Sequence, residues 1–368
     1  MTIDKKTLPG WIATILLTIV TSFWVMWSFG ELYYEAWGLP FHLVIRYLIP
    51  AAICMALTVT CLFWPRIGGS ILVVVGTWFG IWWTQLQVSR GQTDPIQLAI
   101  TLSLSGGLAV IGLLFWYDWR SRRNVDPSLQ PATNWFRRNL RWLVATGIPI
   151  GVAVGTTIGN APILILRQDD GIRTARLIEG NGVRLIWAPE GPGWAKGGEG
   201  VGSNLAWNQI ALYGLPPVGT DLKAKDAFRH ATQAEMDTFC LCRYLSEDGT
   251  TLMDSAQNIW RMPTTQEVVR SLIHHGEHAG CTWDTTMRSA KCEKLPDKES
   301  PLWASDYMPI YMWTHDEHDS AEAYFVGYNG RAVSYQNKWW GNPRHGFRCV
   351  RDPIDSTKLL GDTVSTAL

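Results

Sequence analysis

The apolar positions of this chain fall into two regimes. In the first 160 residues they run almost unbroken, over 11–29, 41–64, 67–88, 96–117 and 142–159. Each run is near the length a helix needs to cross a hydrocarbon core of roughly 30 Å. Between residues 11 and 117 the only charged side chains are Glu31, Glu35, Arg46, Arg66, Arg90 and Asp94. Beyond residue 160 the apolar runs shorten, alternate with polar positions and are punctuated by Gly, Pro and Asn. The pattern predicts a membrane bundle of about five helices followed by an α+β domain.

The first run follows Lys5 and Lys6, as in a signal peptide, but ends in Trp24, Trp27 and Phe29 and lacks a small-residue cleavage site. It reads as a retained helix, with Trp11, Tyr33, Tyr34 and Trp37 completing an interfacial aromatic belt. The loop 118–141 carries Arg120, Arg122, Arg123, Arg137, Arg138 and Arg141, and Arg66 lies in the tight turn between the second and third runs. The positive-inside rule puts these and the N-terminal lysines in the cytoplasm, so five crossings place everything after residue 159 outside the cell membrane. Arg46, near the outer boundary, reads as a snorkelling residue or a partner of Glu31 or Glu35 rather than part of a pathway. Gly147, Gly151, Gly155 and Gly159 recur every fourth residue, a face suited to close approach by a protein partner or a second copy; Gly76 and Gly80 repeat the idea.

In the outer segment, 176–179 and 183–188 read as a hairpin across Gly180-Asn181-Gly182. Residues 223–245 read as a helix with Ala227, Ala231, Ala234, Phe239 and Leu245 inward. Residues 260–272, W-R-M-P-T-T-Q-E-V-V-R-S-L, read as a short strand, a proline turn and a helix start. Thr264 or Thr265 supplies the N-cap, Glu267 completes a capping box, and Val268, Val269 and Leu272 form the apolar face. Short strands follow at 311–314, 323–328, 331–335 and 347–351, with Asn329-Gly330 as a turn and Phe347, Cys349 and Arg351 on one face. The organisation is therefore 1–160 membrane region, 161–175 linker, 176–352 domain and 353–368 tail.

The set Cys242-Arg-Tyr-Leu245, W-R-M-P-T, Tyr311-Met-Trp-Thr314, Asn329-Gly330 and terminal G-F-R-C-V-R-D resembles the formylglycine-generating enzyme (sulfatase-modifying factor) superfamily. The resemblance covers the outer domain alone. It implies a C-type-lectin-like fold with the chain ends together, a Cys242–Cys349 disulfide, and ligands at the late loops. Formylglycine generators also carry a cysteine pair shortly before the terminal G-F-R-C, which binds copper and activates oxygen. Here no cysteine stands between Cys292 and Cys349. The expectation is a non-enzymatic, membrane-anchored extracytoplasmic recognition protein, an accessory subunit of a membrane complex. Two alternatives stand beside it: an oxidase of the family type with a displaced site using Cys240, and a transport or channel component capped by the outer domain.

Charge narrows the class further. Lys+Arg and Asp+Glu balance at 32 each, with the acidic residues in excess after residue 160, which disfavours nucleic acid as a partner. His274 and His278 stand four apart, the helical spacing of a zinc pair, but Gly276 interrupts the helix and a solvated helix end is the plainer reading. Asp316 and Asp319 offer oxygens to calcium in a polar loop, without the glycine and spacing of a known calcium loop. No other cofactor is indicated. Adjacent Trp339 and Trp340 cannot both face one side of a strand, so residues 329–345 are the expected ligand surface, with Asn329, Arg344 and His345 as polar anchors. Cys281 and Cys292 are near enough in sequence to close a local loop, which leaves Cys240 as a free thiol or an intermolecular link.

Overall fold

The computed structural model describes residues 8–36, 40–89, 95–123, 135–196, 206–219 and 229–353. The chain forms two compact units, Met1–Pro162 and Ile163–Leu368.

The first unit is built from α1 (Leu8–Tyr34), α2 (Phe41–Phe63), α3 (Pro65–Ser89), α4 (Pro95–Arg123) and α5 (Trp135–Ile165). All five are long and apolar enough to cross a membrane. Ala13, Leu17, Cys61, Leu72, Ile111 and Phe115 form their common core. The small-residue idea is realised between α3 and α4. A Cβ on Gly69 would lie 2.6 Å from the Gly112 carbonyl oxygen, and one on Gly76 would lie 2.7 Å from that of Ser105. Only glycine lets these backbones approach so closely. Along α5, by contrast, nothing described lies within 4 Å of where a Cβ would sit on Gly147, Gly151, Gly155 or Gly159. Arg46 is exposed, and Tyr47 Oη donates to Glu35 Oε2 at 2.8 Å.

Helices α4 and α5 both extend into the segment expected as an arginine loop. Asp118 is consequently a buried helical residue, and Arg141 of α5 donates to its Oδ2 at 3.1 Å. Arg141 also donates to Thr14 Oγ1 at 2.9 Å and to the Gly10 carbonyl, both in α1. Three helices thus converge on one ion pair that hydropathy alone had assigned to a loop.

The second unit begins with residues expected to be a linker, and they are not one. Helix α5 runs to Ile165, Arg167 Nε pairs with Asp297 Oδ1 at 2.7 Å, and Asp169 Oδ2 accepts from Ser305 N at 2.8 Å. The hairpin of β1 (Arg176–Gly180) and β2 (Val183–Trp187) forms as expected, its turn held by Asn181 and Gly182 at φ of 50° and 79°. Strand β9 (Val350–Arg351) pairs antiparallel with β2, so the last strand lies beside the first hairpin. A second sheet has the order β7 (Val333–Asn337), β6 (Glu322–Gly327), β5 (Tyr311–Glu317), β8 (His345–Gly346).

Among its described residues, 229–245, the expected helix 223–245 is broken. A Thr232–Glu235 capping box starts α7 (Gln233–Phe239) after α6 (Trp207–Ala211), and an extended Cys240, ψ 136°, ends it before a 3₁₀ turn at Leu241–Tyr244. Ala231 and Leu245 are buried as expected, Ala234 is exposed, and Ala227 lies outside the described residues. Residues 260–272 fold as their chemistry dictates. Thr264 caps α8 (Thr265–Arg270), Glu267 returns the capping-box bond to Thr264 N at 2.8 Å, and Val268, Val269 and Leu272 are buried.

The core packs Trp207, Trp260, Trp313 and Met236 around the Cys242–Cys349 disulfide, and Cys281–Cys292 closes the second one. The stretch 347–349 departs from strand alternation. Phe347, Arg348 and Cys349 are all fully buried, because the chain leaves the sheet between β8 and β9 and can turn successive side chains to different partners.

Candidate functional site

The disulfide brings the 3₁₀ turn to β9, and the 260–272 motif lies against both. Between them opens a cavity of about 570 Å³, within the usual range for small-ligand sites. Met236 and Asp237 of α7 line it, with Cys240 and Arg243 from the 3₁₀ turn and Asn258 to Met262 from the loop before α8. Thr264, Glu267, His315, Arg351 and Asp352 complete the wall. Met236, Trp260 and Met262 are buried and give it an apolar floor.

Its polar groups are heavily cross-paired. Glu267 accepts both terminal nitrogens of Arg261, at 2.8 and 2.7 Å, while also closing the capping box. Burial would raise its carboxyl, but the bonds from Arg261 and Thr264 outweigh this and hold it below its ordinary value. His315 Nε2 faces Asp237 Oδ1 at 2.7 Å, and Nδ1 faces Asp316 Oδ1 at 3.3 Å. The hydrogen bond to Asp316 raises the imidazole, Asp237 adds to it, and both outweigh burial. Backbone bonds fix the ring: His315 N donates to Pro263 O at 2.8 Å, and Asp316 Oδ2 accepts from Thr265 N at 2.7 Å. Cys240 is 2 % exposed, and burial pushes its thiol up to about 12. At neutral pH it is a protonated thiol, the wrong state for a nucleophile or metal ligand. Its burial also removes it from intermolecular pairing.

The residues singled out from sequence are distributed otherwise. Trp339 and Trp340 are both exposed, at 47 % and 39 %. Fully buried Lys338 roots them, donating to Ala231 O at 2.9 Å and to Glu317 Oε2 at 2.7 Å. Arg344 and His345 are both buried, although the His345 ring lies 5.5 Å from that of Trp340. Arg344 Nη1 donates to Met308 O at 2.9 Å, and the His345 ring lies among Tyr311, Trp313 and Phe325. Burial holds His345 down at about 3, so the ring is neutral. Parallel pairing of β8 with β5 carries these two residues into the core. Asn329 sits in the turn beyond Val326↔Val333, whereas Trp339 follows the opposite end of that ladder, Glu322↔Asn337. The five residues therefore do not form one exposed surface, although Trp340 and His345 are neighbours.

His274 and His278 are not on a helix. They lie on β3 (Ile273–His274) and β4 (Glu277–His278), joined by His275 and Gly276 at φ of 51° and 81°. In this two-residue hairpin each faces a different partner, Glu277 and Ile273, and His274 Nδ1 lies 2.8 Å from Leu295 O. Asp316 is tied to Thr265 N and faces His315. His318, Asp319 and Glu322 do gather in the β5–β6 turn. There His318 Nδ1 lies 2.9 Å from Tyr324 Oη, and Asp319 Oδ1 accepts from the backbones of Ala321 and Glu322.

The cavity residues Arg243 and Asp237 were not singled out from sequence, and Arg351 and His315 were read there only as a strand position and part of a polar loop. One signal was present: Arg243 follows Cys242, and Arg351 stands two residues beyond Cys349, so the disulfide brings both to one place. No family model matches the chain, and comparisons with curated proteins and with solved structures return no match.

Proposed function

We propose that this chain is a membrane-anchored recognition protein, its globular unit on the extracytoplasmic side and its ligand or partner received in the cavity beside the 260–272 motif. One observation carries the reading: the cavity's reactive-type side chains are committed to one another. Both ring nitrogens of His315 face carboxylates, Glu267 is held by Arg261 and a helix cap, and the Cys240 thiol is buried and protonated. An imidazole occupied in this way has no free nitrogen to serve Cys240 as a base. A rigid, shaped, polar wall over an apolar floor suits binding instead.

The C-type-lectin-like architecture implied by the formylglycine-generating resemblance is in keeping with the last strand lying beside the first hairpin. The two disulfides favour an oxidising compartment, in agreement with the positive-inside reading. The bare glycine face of α5 supports association there, in the manner of an accessory subunit.

The test is capture from native membranes. Ile259→Trp would fill the cavity from a partly exposed position, and should abolish recovery of the bound partner while the melting temperature stays within a few degrees. Unchanged capture would remove the cavity from the reading. Topology is checked independently: a cysteine at Thr286 should react with an impermeant thiol reagent in intact cells and one at Ser128 should not. The reverse labelling would overturn the extracytoplasmic placement.

A further inference from the structure

The charges around the cavity do not cancel group by group. Three carboxylates line it, and each lies within ion-pair distance of Arg261 or His315. Asp237 lies 2.7 Å from His315, Glu267 lies 2.7 Å from Arg261, and Asp352 lies 3.4 Å from the same guanidinium. Three arginines also line it, but only Arg261 has a carboxylate within ion-pair distance among the described residues. Arg243 donates to the backbone carbonyl of Asp237. Arg351 donates to the carbonyl of Glu247 at 3.3 Å, and its guanidinium lies 4.9 Å from the ring centre of Trp260. Carbonyl oxygens and a ring face orient a guanidinium without neutralising it. Each of the two also keeps a buried Nε with no acceptor. Native structures rarely leave such donors unsatisfied, so these two heads are held with spare capacity.

From this we propose that the cavity binds an anion, a carboxylate or phosphate head carrying a short apolar group. Arg243 and Arg351 receive the head, and Met236, Trp260 and Met262 receive the apolar part. The planar guanidinium suits both head types, since it pairs with either through parallel donors. The lining carboxylates face Arg261 and His315, and none lies within ion-pair distance of Arg243 or Arg351, so those two heads are left for an incoming anion. This assignment rests on the cavity being the recognition site, and it names the chemistry recognised there.

The full chain in nanodiscs of zwitterionic lipid is titrated with phenyl phosphate and phenylacetate, and with phenethylammonium as the cation of similar shape. The two anions should bind and the cation should bind at least tenfold more weakly. Arg243→Gln and Arg351→Gln should each weaken the anions at least tenfold, and Arg243→Lys should restore part of the loss, which separates charge from folding. Arg331→Gln, outside the cavity, should change nothing. A second arm repeats the phenyl phosphate titration in discs containing anionic phospholipid. Weakened binding there identifies a lipid head as the natural source, and unchanged binding identifies a free anion. Equal binding of the cation, or anion binding indifferent to both glutamine variants, would overturn the proposal. If Ile259→Trp abolishes partner capture while neither anion binds, the recognition reading stands and the anion assignment alone falls.

Discussion

Arg141 of the helical unit and Arg348 of the globular unit are held by different means. In the helical unit, Arg141 meets a carboxylate, Asp118, with Thr14 Oγ1 and the Gly10 carbonyl completing its shell. In the globular unit, fully buried Arg348 has no acid beside it among the described residues. It donates to the carbonyls of Ala188, Pro301 and Leu302, and its guanidinium lies 3.5 Å from the ring centre of Trp194. The backbone explains the contrast. Inside a helix nearly every carbonyl already accepts from the residue four positions on, so a buried cation relies on a side chain such as Asp118 or shares a carbonyl already in use, as Arg141 shares Gly10 O with Thr14 Oγ1. The loop-rich unit has carbonyls to spare, and three of them with an aromatic face serve in place of a counter-ion.

The largest effect should come from the cation without an acid. Arg348→Ala removes three charge-assisted bonds and leaves a cavity under Trp194, a loss of about 5 kcal/mol or more. That approaches the whole stability of an ordinary domain, and it should appear as trypsin sensitivity of the globular unit. A variant melting within a few degrees of the parent would show that the carbonyl shell contributes little.

Next, Arg141→Leu takes the guanidinium away from buried Asp118, a loss of up to roughly 3–5 kcal/mol. Asp118→Leu with Arg141→Leu should recover most of it, which the Arg348 site, having no partner charge, cannot do. Thermal unfolding in detergent checks the cycle, and failure of the double variant to recover would assign the cost to packing. Gly10→Ala should mimic the single variant, because its methyl would overlap the Asp118 carboxylate. Gly151→Ala, with open space, should be neutral or slightly stabilising.

A subtler test uses pH. His345 titrates at about 3 in the folded chain against an ordinary 6.5, so the unfolded chain takes up the proton first as pH falls. Its contribution is full above 6.5 and is lost as pH falls toward 3, at about 1.4 kcal/mol per pH unit at the steepest. His315 has the opposite sign. Raised by Asp316 and Asp237, it contributes below its unfolded value and loses that contribution as pH rises through its folded one. His345→Phe should flatten the acid limb of a stability profile, and His315→Gln the neutral-to-alkaline limb. An acid limb unchanged in His345→Phe would show that the ring is not held neutral.

Much of this was legible in the chain. Charge-free runs of spanning length have no alternative to helices, because the bilayer leaves no other way to satisfy the backbone. The Asn181-Gly182 turn and the Thr264–Glu267 capping box were equally readable, since each is a local interaction between residues a few positions apart. What only the tertiary structure decided is where residues distant in sequence meet. Strand alternation put Phe347 and Cys349 on one face, apart from Arg348, yet the chain leaves the sheet there and buries all three, with Arg348 under Trp194. Helical spacing suggested a shared face for His274 and His278, yet a two-residue turn splits them. Glycines in α3 and α5 were legible as small-residue faces, yet only the structure shows that α4 is what the α3 face meets. The cavity itself joins residues from 236 to 352, assembled by one disulfide and by the capped helix. Local propensity acts over a handful of residues, whereas the pairing that leaves Arg243 and Arg351 without an acid is a property of the assembled wall.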